Sequence, residues 1–260
     1  MPIISSIQFR PEMALCQAET SANLRRIEGL LDQAGRMGSE VIALPELCST
    51  GYSFMGPEQA AMVSEPRDGL TSRFMADAAR QLEAYVAWGF VETDGSSLYN
   101  SASIAGPDGQ IIMTSRKMNL WGNDFLWASP GRFPPPVVRT DFGMMSAIVC
   151  RDVRNRIPKV PKVASGPMFD VKPDIVTVHV NWGKGGFPAT QWMDIVEDLG
   201  CVAVVSNRWG VERNGEFEQD FGQGGSAIIE PDWTVHTEGI RWGADCVVCH
   251  RVDMDKGPLL

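Results

Sequence analysis

No run of about 18 consecutive apolar residues occurs in this chain, so the sequence contains no candidate membrane-spanning helix. A basic block is missing as well. Twenty-three lysines and arginines stand against 32 aspartates and glutamates in 260 residues, a formal charge of −9, and the pI is near 4.9. That balance argues against nucleic acid or an anionic membrane as partner. Histidine is scarce: His179, His236 and His250 are the only three, and they are scattered. No Cys/His cluster has zinc-ligand spacing, so no metal site is expected, and little material is left for a Cys–His dyad. The first residues, MPIISSIQFRPE, lack a basic leader followed by an apolar core and a small-residue cleavage site. They read as a first strand, and a cytoplasmic protein is expected. No repeat, low-complexity tract or linker breaks the chain, so residues 1–260 read as one domain.

Six cysteines are present: Cys16, Cys48, Cys150, Cys201, Cys246 and Cys249. Spread through a chain of this length, they read as free thiols rather than a disulfide framework. Cys246-Val-Val-Cys249-His250 has the C-x-x-C-H spacing of haem attachment. Its surroundings, CVVCHRVDMD, read as a terminal strand instead, and that attachment requires export. No cofactor is expected.

What the chain does have is 44% hydrophobic residues, enough for a large core, in a regular order of elements. Strands are expected at 3–9, 41–44, 85–91, 98–105, 110–115, 175–180, 201–206 and 246–252. Helices are expected from a cap at Thr20 or Ser21 to about Met37, at about 69–83 and at about 189–200. A hairpin-like pair near 224–238 turns at Pro231-Asp232. This alternation predicts an α/β domain. The run RNRIPKVPK at 154–162 reads as a solvated basic loop.

Three strand ends carry reactive side chains. SAIVCRDVR begins as a buried strand and ends in Cys150-Arg151-Asp152, which suits a nucleophile whose following backbone N–H groups face an oxyanion. VIALPELCSTGY places Glu46 just past a buried strand, where desolvation raises a carboxylate's pKa and suits it to be a base. IIMTSRKMNLWGND places Lys117 after an apolar strand, where an ammonium can stabilise an anion. Alone, each has a plainer reading: a core cysteine, an exposed glutamate, a solvated lysine. Together they match the habit of open α/β sheets of gathering their sites at strand ends.

At LPELCSTGY, RKMNL and VCRDVR the sequence resembles the nitrilase superfamily, the carbon–nitrogen hydrolases. Asn181-Trp182, SNRWG at 206–210 and GGSAIIEPDW at 224–233 extend the likeness over nearly the whole chain. The resemblance implies a four-layer α-β-β-α sandwich and a Glu46–Lys117–Cys150 triad acting on a small amide without metal or cofactor. It also implies a homodimer or larger homo-oligomer. Many relatives carry a second glutamate after the lysine; here Asp124, one methylene shorter, is the only acid in that window. Arg151 stands where an aromatic or small residue is common, read either as a contact for a carboxylate or carbonyl tail or as a pair with Asp152. Tyr52, Phe54, Trp121, Trp127, Trp182 and Phe187 are candidate pocket walls by the same likeness, Tyr52 and Trp182 foremost.

Arg-Asp after the cysteine, in place of Trp-Glu, points to amides ahead of nitriles. An N-carbamoyl amide hydrolase, an ω-amidase and a nitrilase follow as alternatives. Outside this class stand a silent scaffold and a redox protein built on Cys246 and Cys249. A low-pKa thiol at Cys150 is expected of the hydrolase.

Overall fold

Strand β1 (Ile3–Gln8) sends Ile4 into one apolar cluster and Ile7 into another, the period-two alternation of a strand buried on both faces. The computed structural model describes residues 1–153, 171–183 and 187–254. The first sheet adds β2 (Val41–Ala43), β3 (Tyr85–Thr93), β4 (Leu98–Ala105), β5 (Ile111–Arg116) and β14 (Cys246–Arg251) in the order β14-β1-β2-β3-β4-β5. The second is built from β6 (Val138–Thr140), β7 (Gly143–Val149), β8 (Ile175–Val180), β9 (Val202–Asn207), β12 (Ala227–Ile229) and β13 (Val235–His236), in the order β13-β12-β9-β8-β7-β6. Each has three parallel strands at its centre, β1-β2-β3 and β7-β8-β9, with antiparallel strands outside them. A separate hairpin joins β10 (Val211–Asn214) to β11 (Phe217–Asp220).

Helix α1 (Gln17–Arg36) lays Leu24, Ile27 and Leu31 on the first sheet, and α3 (Leu70–Leu82) adds Met75 and Ala79 against Val86, Trp88 and Phe90. Each such aliphatic side chain contributes about 1.5–3 kcal/mol on burial. Helix α5 (Thr190–Leu199) packs Trp192, Ile195, Val196 and Leu199 on the second sheet. Between the sheets lie Ile4, Ala87 and Ile104 from one and Met145 and Ala147 from the other. The layers are therefore α-β-β-α, as expected. Two short helices, α2 (Pro57–Val63) and α4 (Asp124–Trp127), pack against each other, and α4 carries a residue of the site described below.

The expected strands 98–105 and 175–180 coincide with β4 and β8, and the other expected strands differ by a few residues at their ends. Helix α1 starts earlier than its expected cap. Cys16 occupies that position without a side-chain cap, while Thr20 and Ser21 donate back to the carbonyls of Cys16 and Gln17 at 3.2 and 2.9 Å. The run RNRIPKVPK lies outside the described residues.

Two cross-links tie the sheets at the end where the reactive strands stop. His179 on β8 reaches the carbonyl of Leu44 with Nδ1 at 2.6 Å, and its Nε2 meets Thr177 Oγ1 at 3.0 Å. A carbonyl only accepts, so the proton sits on Nδ1, and Nε2 accepts from the threonine. Burial lowers the His179 pKa to about 4 and keeps the ring neutral. On the other side, Ser115 of β5 donates to the carbonyl of Ala147 on β7 at 2.8 Å.

Candidate active site

The chain leaves β2 through Pro45 and Glu46 and turns sharply at Leu47, which has φ 49°. This turn presses on β3: a Cβ at Gly89 would meet Leu47 N at 2.7 Å and Glu46 Cα at 2.8 Å, so only glycine fits there. β7 likewise gives way to a single 3-10 turn, Cys150–Val153, whose first residue has φ 45°. A non-glycine residue in this left-handed region stores of order 1 kcal/mol of strain, a feature that gathers at functional sites. Lys117 follows β5 directly, and its N–H pairs with the carbonyl of Asn100 on β4 at 2.8 Å.

The three strand ends meet. Lys117 Nζ donates to Glu46 Oε1 at 2.7 Å and to Asp124 Oδ2 at 2.6 Å, with all three side chains fully buried. Asn100 Nδ2 donates to the same two carboxylates, at 2.7 Å to Glu46 and 3.0 Å to Asp124. Asp124 Oδ2 also accepts the Trp121 N–H at 3.0 Å. Its shorter side chain reaches Lys117 from the start of α4, a helix the sequence did not predict. Glu46 Oε2 is buried without a hydrogen-bond partner among the described residues.

Charge follows this geometry. Burial alone would lower the Lys117 pKa, but Asp124 and Glu46 override it and hold the ammonium charged, above its ordinary value. Burial raises Glu46; Lys117 opposes the shift and Asp124 adds to it. The Cys150 thiol is also raised, first by burial and then by the charge on Glu46, and Lys117 offsets only part of this. The expected low-pKa thiol is thus corrected: burial first, and then the Glu46 charge, hold the sulfur's proton against the pull of Lys117. The thiol rests protonated, and a base has to take its proton.

Cys150, Tyr52, Trp121, Arg151 and Trp182 line one cavity of about 510 Å3. The Tyr52 hydroxyl donates to the Trp121 carbonyl, and Lys117 Nζ lies 5.9 Å from the Tyr52 ring centroid. Arg151 does not pair with Asp152. Its guanidinium lies over the Trp121 ring at 5.0 Å, whereas buried Asp152 accepts from Met118 N, Asn119 N and Asn119 Nδ2 at 3.1, 2.8 and 2.9 Å. Asp152 therefore ties the Cys150 turn to the segment after Lys117. Burial raises its pKa to about 6 against those hydrogen bonds. Three further wall candidates fall outside this cavity. Phe54 and Trp127 pack on each other at 5.5 Å, and Phe187 packs on Trp242 at 5.2 Å.

Several lining residues were not expected. Asn181 lies at the cavity with Nδ2 and Oδ1 buried and without hydrogen-bond partners among the described residues. β11 brings Glu218, Gln219 and Asp220, followed by Phe221. Behind them Glu212 accepts the N–H groups of Tyr52 and Ser53 at 2.9 and 2.8 Å, and pairs with buried Arg208 at 2.9 Å. Asn100 left one usable signal, an asparagine inside a strand, where that residue is uncommon.

Cys246 and Cys249 lie on opposite faces of β14: Val248, two residues from Cys246, packs between the sheets, and Cys249 packs with the α1–α3 cluster. Residues three apart on a strand cannot face each other, which removes the basis of the redox alternative. Both are free thiols.

The family model for carbon-nitrogen hydrolases matches residues 3–257. The chain is 31% identical over 235 residues to a deaminated glutathione amidase from Synechocystis, covering 82% of this chain and 79% of that protein. It is 31% identical over 150 residues to a nitrilase from Pyrococcus abyssi, covering 57% of this chain and only 55% of that relative. In fold it resembles an amidase from Nesterenkonia sp., with a TM-score of 0.76 at 20% identity, covering 98% of this chain and 93% of the other. Among the described residues no helix is long and apolar enough to cross a membrane.

Proposed function

This chain belongs to the carbon–nitrogen hydrolase family, and on that footing we propose that it hydrolyses a small amide to its acid and ammonia through a thioester on Cys150. One observation carries the reading. Glu46 has one oxygen held by Lys117 and Asn100, while the other is buried and unpartnered in a carboxylate of raised pKa. That oxygen is the proton acceptor a protonated thiol needs.

Glu46 takes the Cys150 proton as the sulfur attacks the amide carbon, and charge passes to the carbonyl oxygen. Lys117 Nζ and the backbone N–H near Arg151 stabilise that oxyanion. The tetrahedral species collapses with cleavage of the C–N bond, and Glu46 returns the proton to the departing nitrogen. Water then enters, gives a proton to Glu46 and attacks the thioester carbon. Release of the acid returns the proton to sulfur, so the cycle is balanced. Asp124 holds Lys117 against the charge changes at Glu46. Asn181, with a donor and an acceptor both unpartnered, suits the substrate amide. Tyr52, Trp121 and Trp182 suit a small planar or apolar acyl group, and Arg151 suits a carboxylate or carbonyl tail.

The test is ammonia release from a panel of small amides, carbamoyl amino acids and matching nitriles, with Cys150→Ala alongside. Turnover of amides that falls at least ~1,000-fold in the variant is expected. Turnover confined to nitriles, or undiminished in Cys150→Ala, overturns the proposal.

A further inference from the structure

His236 and His250, 14 residues apart in sequence, stack face to face with ring centroids 3.4 Å apart and planes inclined by 12°. They come from different sheets. His236 ends β13, opposite Ile228, and His250 lies on β14, opposite Ile4. These strands form the sheet edges away from β5, which Lys117 follows, and from β7, which Cys150 follows, so the pair is remote from the thiol.

A carboxylate lies at each side of the stack. Glu230 Oε1 stands 3.5 Å from His236 Nε2 and 3.9 Å from His250 Nε2. Glu238 Oε1 stands 3.5 and 3.7 Å from the two Nδ1 atoms. Glu230 is buried, and the donor atoms of Glu230, His236 and His250 all fall within 4.8 Å of one another. His236 Nε2 is buried and has no hydrogen-bond partner among the described residues.

We propose that Glu230, His236 and His250 form a binding site for a divalent transition metal that ties the edges of the two sheets together. Zinc holds nitrogen and oxygen donors at about 2.0–2.1 Å, which puts neighbouring donors of a tetrahedral site roughly 3.3 Å apart. The observed separations to Glu230 are close to that. Two imidazoles and one carboxylate match the donor preference of zinc, nickel or copper rather than of calcium or magnesium. Glu238 sits where a carboxylate accepts the Nδ1–H of ligating histidines, fixing the tautomer that leaves Nε2 for the metal. Capture requires the half-buried His250 ring to tilt out of the stack so that both Nε2 lone pairs converge, and a fourth position stays open to water.

The experiment is zinc titration by calorimetry, with thermal melting, on the full chain carrying Cys150→Ala so that the reactive thiol takes no metal. Copper is then added for electron paramagnetic resonance. One equivalent of zinc is expected to bind and raise Tm. The copper spectrum is expected to show nitrogen ligation without sulfur. His250→Gln and Glu230→Gln should weaken zinc at least tenfold and abolish the rise in Tm. Glu238→Gln, at a more exposed position, should weaken it several-fold and keeps the test decisive if Glu230→Gln does not fold. No saturable zinc binding, a sulfur-ligated copper spectrum, or equal affinity in His250→Gln overturns the proposal.

Discussion

Asp124 Oδ2 and Lys117 Nζ meet at 2.6 Å in full burial, and the same ammonium donates to Glu46 Oε1 at 2.7 Å. A second carboxylate is therefore tied to the lysine, beside Glu46. On the proposed reading, the proton that moves is that of the Cys150 thiol, with Glu46 as its acceptor.

Asp124→Asn removes the foremost of the groups that raise the Lys117 pKa. The lysine then loses its proton at lower pH, so the alkaline limb of the kcat/KM profile should move down while kcat falls roughly 10- to 100-fold. Asp124→Glu keeps the charge and should retain more activity. An alkaline limb unmoved in Asp124→Asn would show that the aspartate does not hold the lysine charged.

On the acid side the profile should report Glu46. Its pKa is raised from 4.5, chiefly by burial, and only the ionised form accepts the thiol proton. Activity should therefore fall, as pH decreases, through a midpoint above 4.5. Initial rates between pH 4 and pH 8 on the best substrate of the panel measure this, and a midpoint below the ordinary glutamate value would contradict it.

The His179 ring should stay neutral until about pH 4. Its folded pKa lies below its unfolded value of about 6.5, so between these the unfolded chain binds more protons, and this histidine's contribution to stability shrinks as pH falls. Asp152 runs the other way, since its folded pKa of about 6 exceeds its ordinary value of 3.8. The two effects oppose each other, so site-resolved NMR titration of His179 is the clean measurement, with no titration expected above pH 5.

Glu212→Gln should destabilise the fold by about 3 kcal/mol, because it leaves the buried Arg208 charge without its partner. In a chain of this size that lowers Tm by roughly 6–12 °C. Glu212 also holds the Tyr52 and Ser53 N–H groups, so KM should rise in the folded fraction. A change in Tm of less than 2 °C would show that this pair does not brace the cavity wall.

Much was legible in the residue order itself. The stretches at 98–105 and 175–180 mark strands because β structure is written locally, as period, length and flanking turns. Glu46, Lys117 and Cys150 stand out because each interrupts the chain just after such a run. The strand ends that carry them could be read; their distances from one another could not. Asn100 reaches Asp124 across 24 residues and Glu212 reaches Tyr52 across 160, and no local pattern encodes such pairs.

What the sequence by itself determined is the set of candidate reactive side chains and the strands and helices that carry them, since hydrophobic period and turn chemistry are short-range properties; the layers were implied by the family resemblance. Tertiary structure alone decided the charges. Whether Lys117 is solvated or enclosed by two carboxylates, whether Arg151 pairs with Asp152 or covers Trp121, and whether the Cys150 thiol is acidic or held neutral all depend on burial and on distances of a few ångströms. Desolvation and Coulomb energies vary steeply over that range, and they act between segments the chain brings together only when both sheets have closed.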